Sequence, residues 1–323
     1  MNEFNHITVL AHELVDSLAL QEGDIAIDCT AGGGGHTQLL LDKVGESGRV
    51  IAIDRDPVAI TNLHNKFALI EKKNKLQIYQ SNFSNLKALI EENDLVGKVK
   101  GIIADLGVSS PQIDVSERGF SFAKDGPLDM RMNQNLDIPT AKDIIENESF
   151  DSLKKIFREL GEEPKAHFIA QAICNYRAHN SINTTTQLAD IIKKSVHYSK
   201  KSKKNPATKV FQALRIYVNS ELDELTILLK DAFSVLAQGG RMAIISFHSL
   251  EDRSIKSTFK ELASDPASKL PKSLPLTAEE IEQSRQKKAK IIKPFPKTAT
   301  EEEITSNPRA RSAKMRVIEK LLN

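Results

Sequence analysis

The chain has 323 residues, enough for two domains or one large elaborated one. Hydrophobic residues make up 40% and charged residues 27%, a balance that excludes the low-hydrophobicity signature of disorder. With 45 basic against 43 acidic residues the net charge is +2, so the total excludes neither a polyanionic nor a small-molecule partner, and the distribution of charge matters more.

The most apolar stretches, such as Met242–Phe247, fall far short of the roughly 20 residues a bilayer needs, so no membrane span is expected. Glu3, Glu13 and Asp16 near the start, with no basic region before an apolar run, argue against a signal peptide. Two cysteines, Cys29 and Cys174, cannot make a disulfide framework or a cysteine-rich zinc site. A reducing compartment, the cytoplasm, is expected, and no metal site.

Along the first 105 residues apolar runs alternate with helical patterns. Ile25–Cys29, Arg49–Ile53, Leu76–Tyr79 and Val99–Ala104 read as strands. Between them lie helical stretches at His36–Val44, Pro57–Ile70 and Ser84–Glu91. Strands of about five residues alternating with helices of about ten mean βαβ units, hence an α/β fold with a doubly wound, mostly parallel sheet. From Gly107 to Asn135 the chain reads as a long ordered loop, a length that usually signals function.

Residues 140–205 then look helical only: Ala141–Asn147, Phe150–Leu160, Pro164–Ala178 and Thr185–Val196. One long helix is expected from Asn205 as N-cap to Gly239-Gly240, with Val210, Phe211, Leu214, Val218, Leu222 and Leu225 on its apolar stripe. Strand character returns at Arg241–Phe247, a helix follows from Ser249, and Ala313–Glu319 is a late strand candidate. Residues 264–312 read as irregular. The expected organisation is a ligand-binding α/β domain over 1–113, an inserted all-helical domain over 114–207, and the rest of the α/β domain over 208–323 with a basic C-terminal segment.

The chemistry concentrates in Asp28-Cys29-Thr30-Ala31-Gly32-Gly33-Gly34-Gly35-His36, which follows the first strand and opens the first helix. Glycine lets the backbone approach a ligand at the strand's carboxyl end. Nineteen residues after Gly35, Asp54 ends the second strand, placed to accept hydrogen bonds from the two hydroxyls of a ribose. The combination points to a nucleoside cofactor. Contiguous glycines preceded by an acid suit the ammonium and sulfonium of S-adenosylmethionine better than the pyrophosphate of a dinucleotide. No phosphate-binding lysine follows the loop, which excludes a Walker-type nucleotidase. Phe83, after the third strand, offers either an aromatic face for adenine or an ordinary core side chain. His36 is either a cofactor contact or simply a helix-start residue.

After the fourth strand, Asp105-Leu106-Gly107-Val108-Ser109-Ser110-Pro111-Gln112 stands where enzymes that methylate exocyclic amino groups carry an Asp/Asn/Ser-Pro-Pro-aromatic motif. An aromatic amino nitrogen is a poor nucleophile, because its lone pair is delocalised into the ring. Acceptors for its N–H groups can align that lone pair for in-line displacement. Asp105, Ser109 and Ser110 are the candidate catalytic residues. The double proline and the aromatic are missing, so a base would stack elsewhere, with Phe120 and Phe122 as candidates. Ser246-Phe-His-Ser-Leu-Glu-Asp252 reads as a strand-end turn with Ser249 as the next helix's N-cap rather than a hydrolase triad.

Between Ile191 and Ser220 lie Lys193, Lys194, Lys200, Lys201, Lys203, Lys204, Lys209 and Arg215 with no acid. A second cluster holds Arg285, Lys287, Lys288, Lys290 and Lys293, and a third Arg309, Arg311, Lys314 and Arg316. Any one alone reads as a solvated face; three together favour a polyanion partner.

Several long strings resemble one family closely, the bacterial 16S ribosomal RNA (cytosine-N4)-methyltransferases known as RsmH or MraW. They are His6–Leu10, Asp28–Thr37, Ala52–Pro57, Asp105–Gln112, Arg118–Phe122, Asp125–Arg131, Asn205–Thr208, Phe211–Ala213, Arg215, Val218–Leu222, Ser246–Arg253 and Asn307–Ser312. The resemblance spans nearly the whole chain. It implies a class I methyltransferase fold with a helical insertion, and methyl transfer from S-adenosylmethionine to N4 of a cytosine in the small-subunit decoding region.

By matching position it places cofactor contacts on Gly34, Gly35, His36, Asp54, Phe83, Asp105 and Gln112. Asp105 is then either a cofactor contact or the amino-group acceptor. Cys29 reads as tolerated variation rather than a catalytic thiol. The expected partner is 16S rRNA, within the 30S subunit, bound as a base drawn out of its stack. Arg118 and Arg131 are expected near that base, and Lys209 and Arg215 on phosphates, with His248 as a further RNA contact. Oligomeric state stays open, a homodimer included. The rival readings are a DNA amino-methyltransferase, an NAD-dependent oxidoreductase, and a non-catalytic RNA-binding or ribosome-assembly factor.

Overall fold

The computed structural model of the protein describes residues 8–196, 205–264 and 287–321. Lys200, Lys201, Lys203, Lys204 and Arg285 of the basic runs, and His6 and Ile7 of the first matching string, lie outside them. The chain forms two compact units, one from residues 1–107 and 224–323, the other from residues 108–223.

The first unit is built on seven strands: β1 (Ile25–Asp28), β2 (Arg49–Asp54), β3 (Leu76–Gln80), β4 (Val99–Asp105), β5 (Leu236–Ser246), β6 (Ala289–Thr298) and β7 (Lys314–Lys320). Their order across the sheet is β3-β2-β1-β4-β5-β7-β6. β1 to β5 run parallel, and β7 is antiparallel to both β5 and β6. Strand order reverses between β1 and β4, and the crevice outside the carboxyl ends of such neighbours is where open parallel sheets take ligands.

Both faces of the sheet are covered, and β2 shows why. Val50 and Ala52 pack into one apolar cluster while Ile51 and Ile53 pack into another, the period-two alternation of a strand buried on both sides. The helices that follow the first strands are α2 (Gly35–Val44), α3 (Pro57–Glu71) and α4 (Leu86–Glu92), after a short α1 (Ala11–Asp16). The start of α3 is written in Asp56-Pro57: the Asp56 carboxylate accepts from Val58 N at 3.0 Å, and proline fits the first helical position.

The second unit holds α5 (Ser110–Asp114), α6 (Ala141–Asn147), α7 (Phe150–Glu159), α8 (Ala166–Arg177), α9 (Thr185–Ser195) and α10 (Ala207–Asn219). Phe157, Ile169, Leu188 and Leu214 share one apolar core there with Leu128 and Met130 of the long loop. Asn219 pins that loop, donating to Met130 O at 2.7 Å and accepting from Met132 N at 2.8 Å.

Several boundaries differ from those expected. The division falls at 107/108 and 223/224 rather than at 113/114 and 207/208, because Val210, Phe211 and Leu214 belong to the helical core. The single long helix is two, α10 and α11 (Glu221–Val235), broken at Ser220, whose φ of 50° is left-handed. Gly239 and Gly240 do not end a helix; they lie inside β5, which starts five residues earlier than expected at Leu236.

His248, not Ser249, caps α12 (Ser249–Leu262). The region read as irregular contains β6 and α13 (Glu301–Ser306); β6 hides in the sequence because two prolines and three lysines interrupt its apolar pattern. Truncating Phe157, which is fully buried, should cost about 3–5 kcal/mol. Chemical denaturation of Phe157→Ala followed by circular dichroism checks this, and a loss under 1 kcal/mol would deny the helical core its centre.

Candidate cofactor site at the carboxyl ends of the strands

Three aspartates end adjacent strands: Asp28 on β1, Asp54 on β2 and Asp105 on β4. In register, Asp28 stands beside Ala52 on one side and Ile103 on the other. Asp28 is fully buried and holds the start of the glycine loop, accepting from Thr30 N at 3.1 Å and from the Thr37 hydroxyl at 2.7 Å. The acid that precedes the glycines thus braces the loop. Thr30 carries the brace onward, its hydroxyl accepting from Asp105 N at 2.7 Å.

The loop is also tied to β2. Ala31 N donates to Ile53 O at 3.0 Å, Gly32 N to Asp54 Oδ2 at 2.8 Å and Gly34 N to Ala31 O at 2.7 Å. Gly34 has a φ of +72°, and a Cβ there would stand 2.6 Å from Phe67 Cε2 and 2.9 Å from Leu63 Cδ2. Only glycine meets both conditions. At Gly35 a Cβ would run into the Thr8 hydroxyl.

The electrostatics follow from burial. Loss of water pushes the Asp28 carboxyl up to about 6, against the lowering effect of Thr37 and Thr30. Asp54 is also pushed up to about 6 by desolvation, although the amides of Asp56 and Gly32 favour its ionised form. Asp105 is raised well above its ordinary value by burial first, then by the like charges of Asp28 and Glu251. Its Oδ1 is buried and has no hydrogen-bond partner among the described residues. Its Oδ2 lies 3.9 Å from His36 Nδ1. His36 Nε2 is 3.2 Å from Val9 O, which can only accept, so Nε2 carries the proton there.

These residues fit a cationic nucleoside. The three strands end on carboxyls, and one of these offers a buried oxygen with no hydrogen-bond partner among the described residues. A pyrophosphate would be repelled by those three carboxyls, with only Arg55 beside Asp54 and Lys66 beside the loop to offset them. Asp54, Gly34, Gly35, His36 and Asp105 are thus brought together in the first unit. Phe83 opens a turn after β3 and packs half-buried against the core, which favours its ordinary structural reading. Beside it, Asn82 accepts from Arg55 Nε at 3.2 Å and donates to Glu224 Oε1 at 3.1 Å. Sequence reasoning missed Glu224, as it missed the bracing threonines, because nothing in local spacing links them to the loop.

The remaining sequence-predicted residues lie in the second unit, except His248. Ser109 and Gln112 form the capping box of α5, with Gln112 Oε1 accepting from Ser109 N at 3.0 Å, and Ser110 is buried at its start. Arg118 is buried and donates to Arg131 O and Met132 O at 3.2 and 2.8 Å. Arg131 grips Asp129 at 2.9 and 3.0 Å. Lys209 donates to Glu162 O at 2.6 Å, and Arg215 binds Glu221 through two contacts of 2.8 Å. These four cations are engaged inside the fold. In the first unit His248 accepts from Glu251 N at 3.4 Å while Glu251 Oε2 accepts from Phe247 N at 2.8 Å and His248 N at 3.2 Å, a helix cap that buries the acid near Asp105.

A profile of the MraW methylase family matches residues 3–321 of the chain. Among solved structures, the chain is similar to a candidate rRNA methylase from Clostridium thermocellum, at 13% identity and a TM-score of 0.44, covering 98% of both chains. It is similar also to an S-adenosylmethionine-dependent O-methyltransferase from Thermotoga maritima, at 11% identity and 0.41, covering 97% of this chain and 65% of the other. A third is Aeropyrum pernix fibrillarin with bound S-adenosylmethionine, at 10% identity and 0.36, covering 92% and 67%. Likeness at that level carries no argument of its own beside the family match.

Gly34→Ala should keep the fold yet weaken S-adenosylmethionine binding by at least about tenfold, because the loop must move off α3 and out of its left-handed turn. Calorimetric titration of the variant measures this; wild-type affinity would show that the loop's close approach to α3 does not matter.

Proposed function

The chain belongs to the MraW methylase family and is a methyltransferase that uses S-adenosylmethionine, and from that premise we propose that it methylates the N4 amino group of a cytosine in the decoding region of 16S rRNA. The observation that carries the reading is Asp105, a half-buried carboxyl at the end of β4 whose Oδ1 is buried with no hydrogen-bond partner among the described residues. The long matching strings support RNA as the class of substrate, as do the basic runs apart from Lys209, Arg215, Lys314 and Arg316, whose charges are engaged within the fold.

S-adenosylmethionine supplies, when bound, an electrophilic methyl group that an amino nitrogen takes by in-line displacement. Asp54, at the end of β2, would hold the ribose hydroxyls through its carboxylate, and the loop from Gly32 to Gly35 would let the backbone close on the cofactor. His36, fixed through Nε2 on Val9 O, keeps its other ring nitrogen turned towards Asp105. Asp105 accepts an N–H of the target amino group, which directs the nitrogen lone pair towards the methyl, and then holds the proton that the alkylated nitrogen releases. This role requires Asp105 in its ionised form, which burial and the like charges of Asp28 and Glu251 disfavour and which a positive charge held beside it would favour.

The target base leaves its stack to reach such a site, which is easiest in single-stranded or splayed RNA. Transfer of tritiated methyl to 30S subunits lacking the modification, to naked 16S rRNA and to DNA, with mass spectrometry of the product nucleosides, tests the proposal. N4-methylcytidine at one site in the 30S particle is expected, and Asp105→Asn should lower turnover at least about 100-fold while S-adenosylmethionine still binds. Methylation of DNA instead would favour the DNA amino-methyltransferase reading. Cofactor binding without transfer to any substrate would favour an assembly factor.

A further inference from the structure

The glycine loop has four consecutive residues without side chains, Gly32 to Gly35, and so cannot anchor itself. What holds it comes from outside, and much of that is one face of α3. Leu63, Lys66 and Phe67 occupy positions i, i+3 and i+4 of that helix, which share a face. Leu63 and Phe67 are buried directly beneath Gly34, within the distances that forbid a side chain there. The Lys66 ammonium donates to Gly33 O at 3.0 Å and to Gly34 O at 3.1 Å, and it lies 5.0 Å from the centre of the Phe67 ring.

We propose that Lys66 is a positioning residue for S-adenosylmethionine: by drawing two successive carbonyls of the glycine loop onto α3, it fixes the loop in the form that receives the cofactor. The inference rests on the methyltransferase reading only in naming that cofactor. Both carbonyl oxygens lie within hydrogen-bond distance of the one ammonium, whose positive charge attracts the negative end of each dipole. Gly34 O already receives the amide of Gln38 in the first turn of α2, so the lysine couples α3 to the start of α2 through the loop between them. A flexible loop held in its binding form before the ligand arrives loses less entropy on binding, and the gain appears in affinity rather than in chemistry.

The residue is exposed, so Lys66→Met should fold as the wild type does. Its Kd for S-adenosylmethionine, measured by calorimetry, should rise by about fivefold to twentyfold, with kcat at saturating cofactor unchanged within about twofold. Lys66→Arg should recover most of the affinity. In the cofactor-free protein, hydrogen exchange at the amides of Gly32 to Gly35 should speed up in Lys66→Met and not in Lys66→Arg. An unchanged or tighter Kd would overturn the proposal, the tighter one by showing that the lysine competes with the cofactor for the carbonyls. A fall in kcat at saturation, or loop exchange identical to wild type, would overturn it too. Failure of the wild-type protein to bind S-adenosylmethionine would count against the cofactor assignment, while the exchange comparison would still decide the role of Lys66.

Discussion

Three carboxyl groups end neighbouring strands of one sheet, Asp28 fully buried and Asp54 and Asp105 half-buried, and the first unit is arranged around that cost. Taking a carboxylate out of water without a counter-charge is expensive, so the group either gathers hydrogen bonds or keeps its proton. Asp28 does the first by binding Thr30 and Thr37. Asp54 does it by binding the amides of Gly32 and Asp56. Asp105 leaves one oxygen without a partner among the described residues. As Asp28 and Asp54 titrate near 6 in the fold, the folded chain holds more protons than the unfolded one between the ordinary carboxyl range and about 6. Their ionisation therefore lowers stability as pH rises through that window. A site that destabilises its own negative charges is matched to a ligand that brings positive charge.

The same hydrogen bonds explain why the glycine loop is where it is. Thr30 links β1 to β4, Gly32 links the loop to β2, and Lys66 links it to α3. The loop is thereby fastened to β2, β4 and α3 around the point where the strand order reverses. Helices of the second unit build a separate apolar core, and its conspicuous arginines hold the long loop together. Arg118 binds two carbonyls of that loop, Arg131 binds Asp129, and Asn219 clasps the loop from the end of α10.

Much of the first unit was legible in the sequence because parallel strands buried on both faces are short continuous apolar runs, and Asp56-Pro57 is a plain helix start. The glycine loop, Asp54 and Asp105 were legible for the same reason: they stand at the ends of those runs. Ser220 was not, because a left-handed serine leaves the apolar period of the flanking helices intact. β6 was not, because an edge strand tolerates the prolines and lysines that a central strand would not. Charged side chains were the least legible. A run of lysines and arginines reads alike whether it faces a polyanion or, as with Lys209 and Arg215, is engaged inside the fold. Lys66 left no trace in local spacing, since its partners lie more than thirty residues away.

The central claim, that buried carboxyls await a cation, predicts a proton balance. S-adenosylmethionine titrated calorimetrically into the protein at pH 6, in buffers of different ionisation enthalpy, measures it directly. Because Asp28 and Asp54 are raised to about 6 in the free site and a cationic cofactor favours their ionised forms, binding should release protons, on the order of one per site. Release should be smaller in Asp54→Asn, and affinity should climb as pH rises through that range. Binding whose heat does not depend on the buffer, or that takes protons up, would contradict the account.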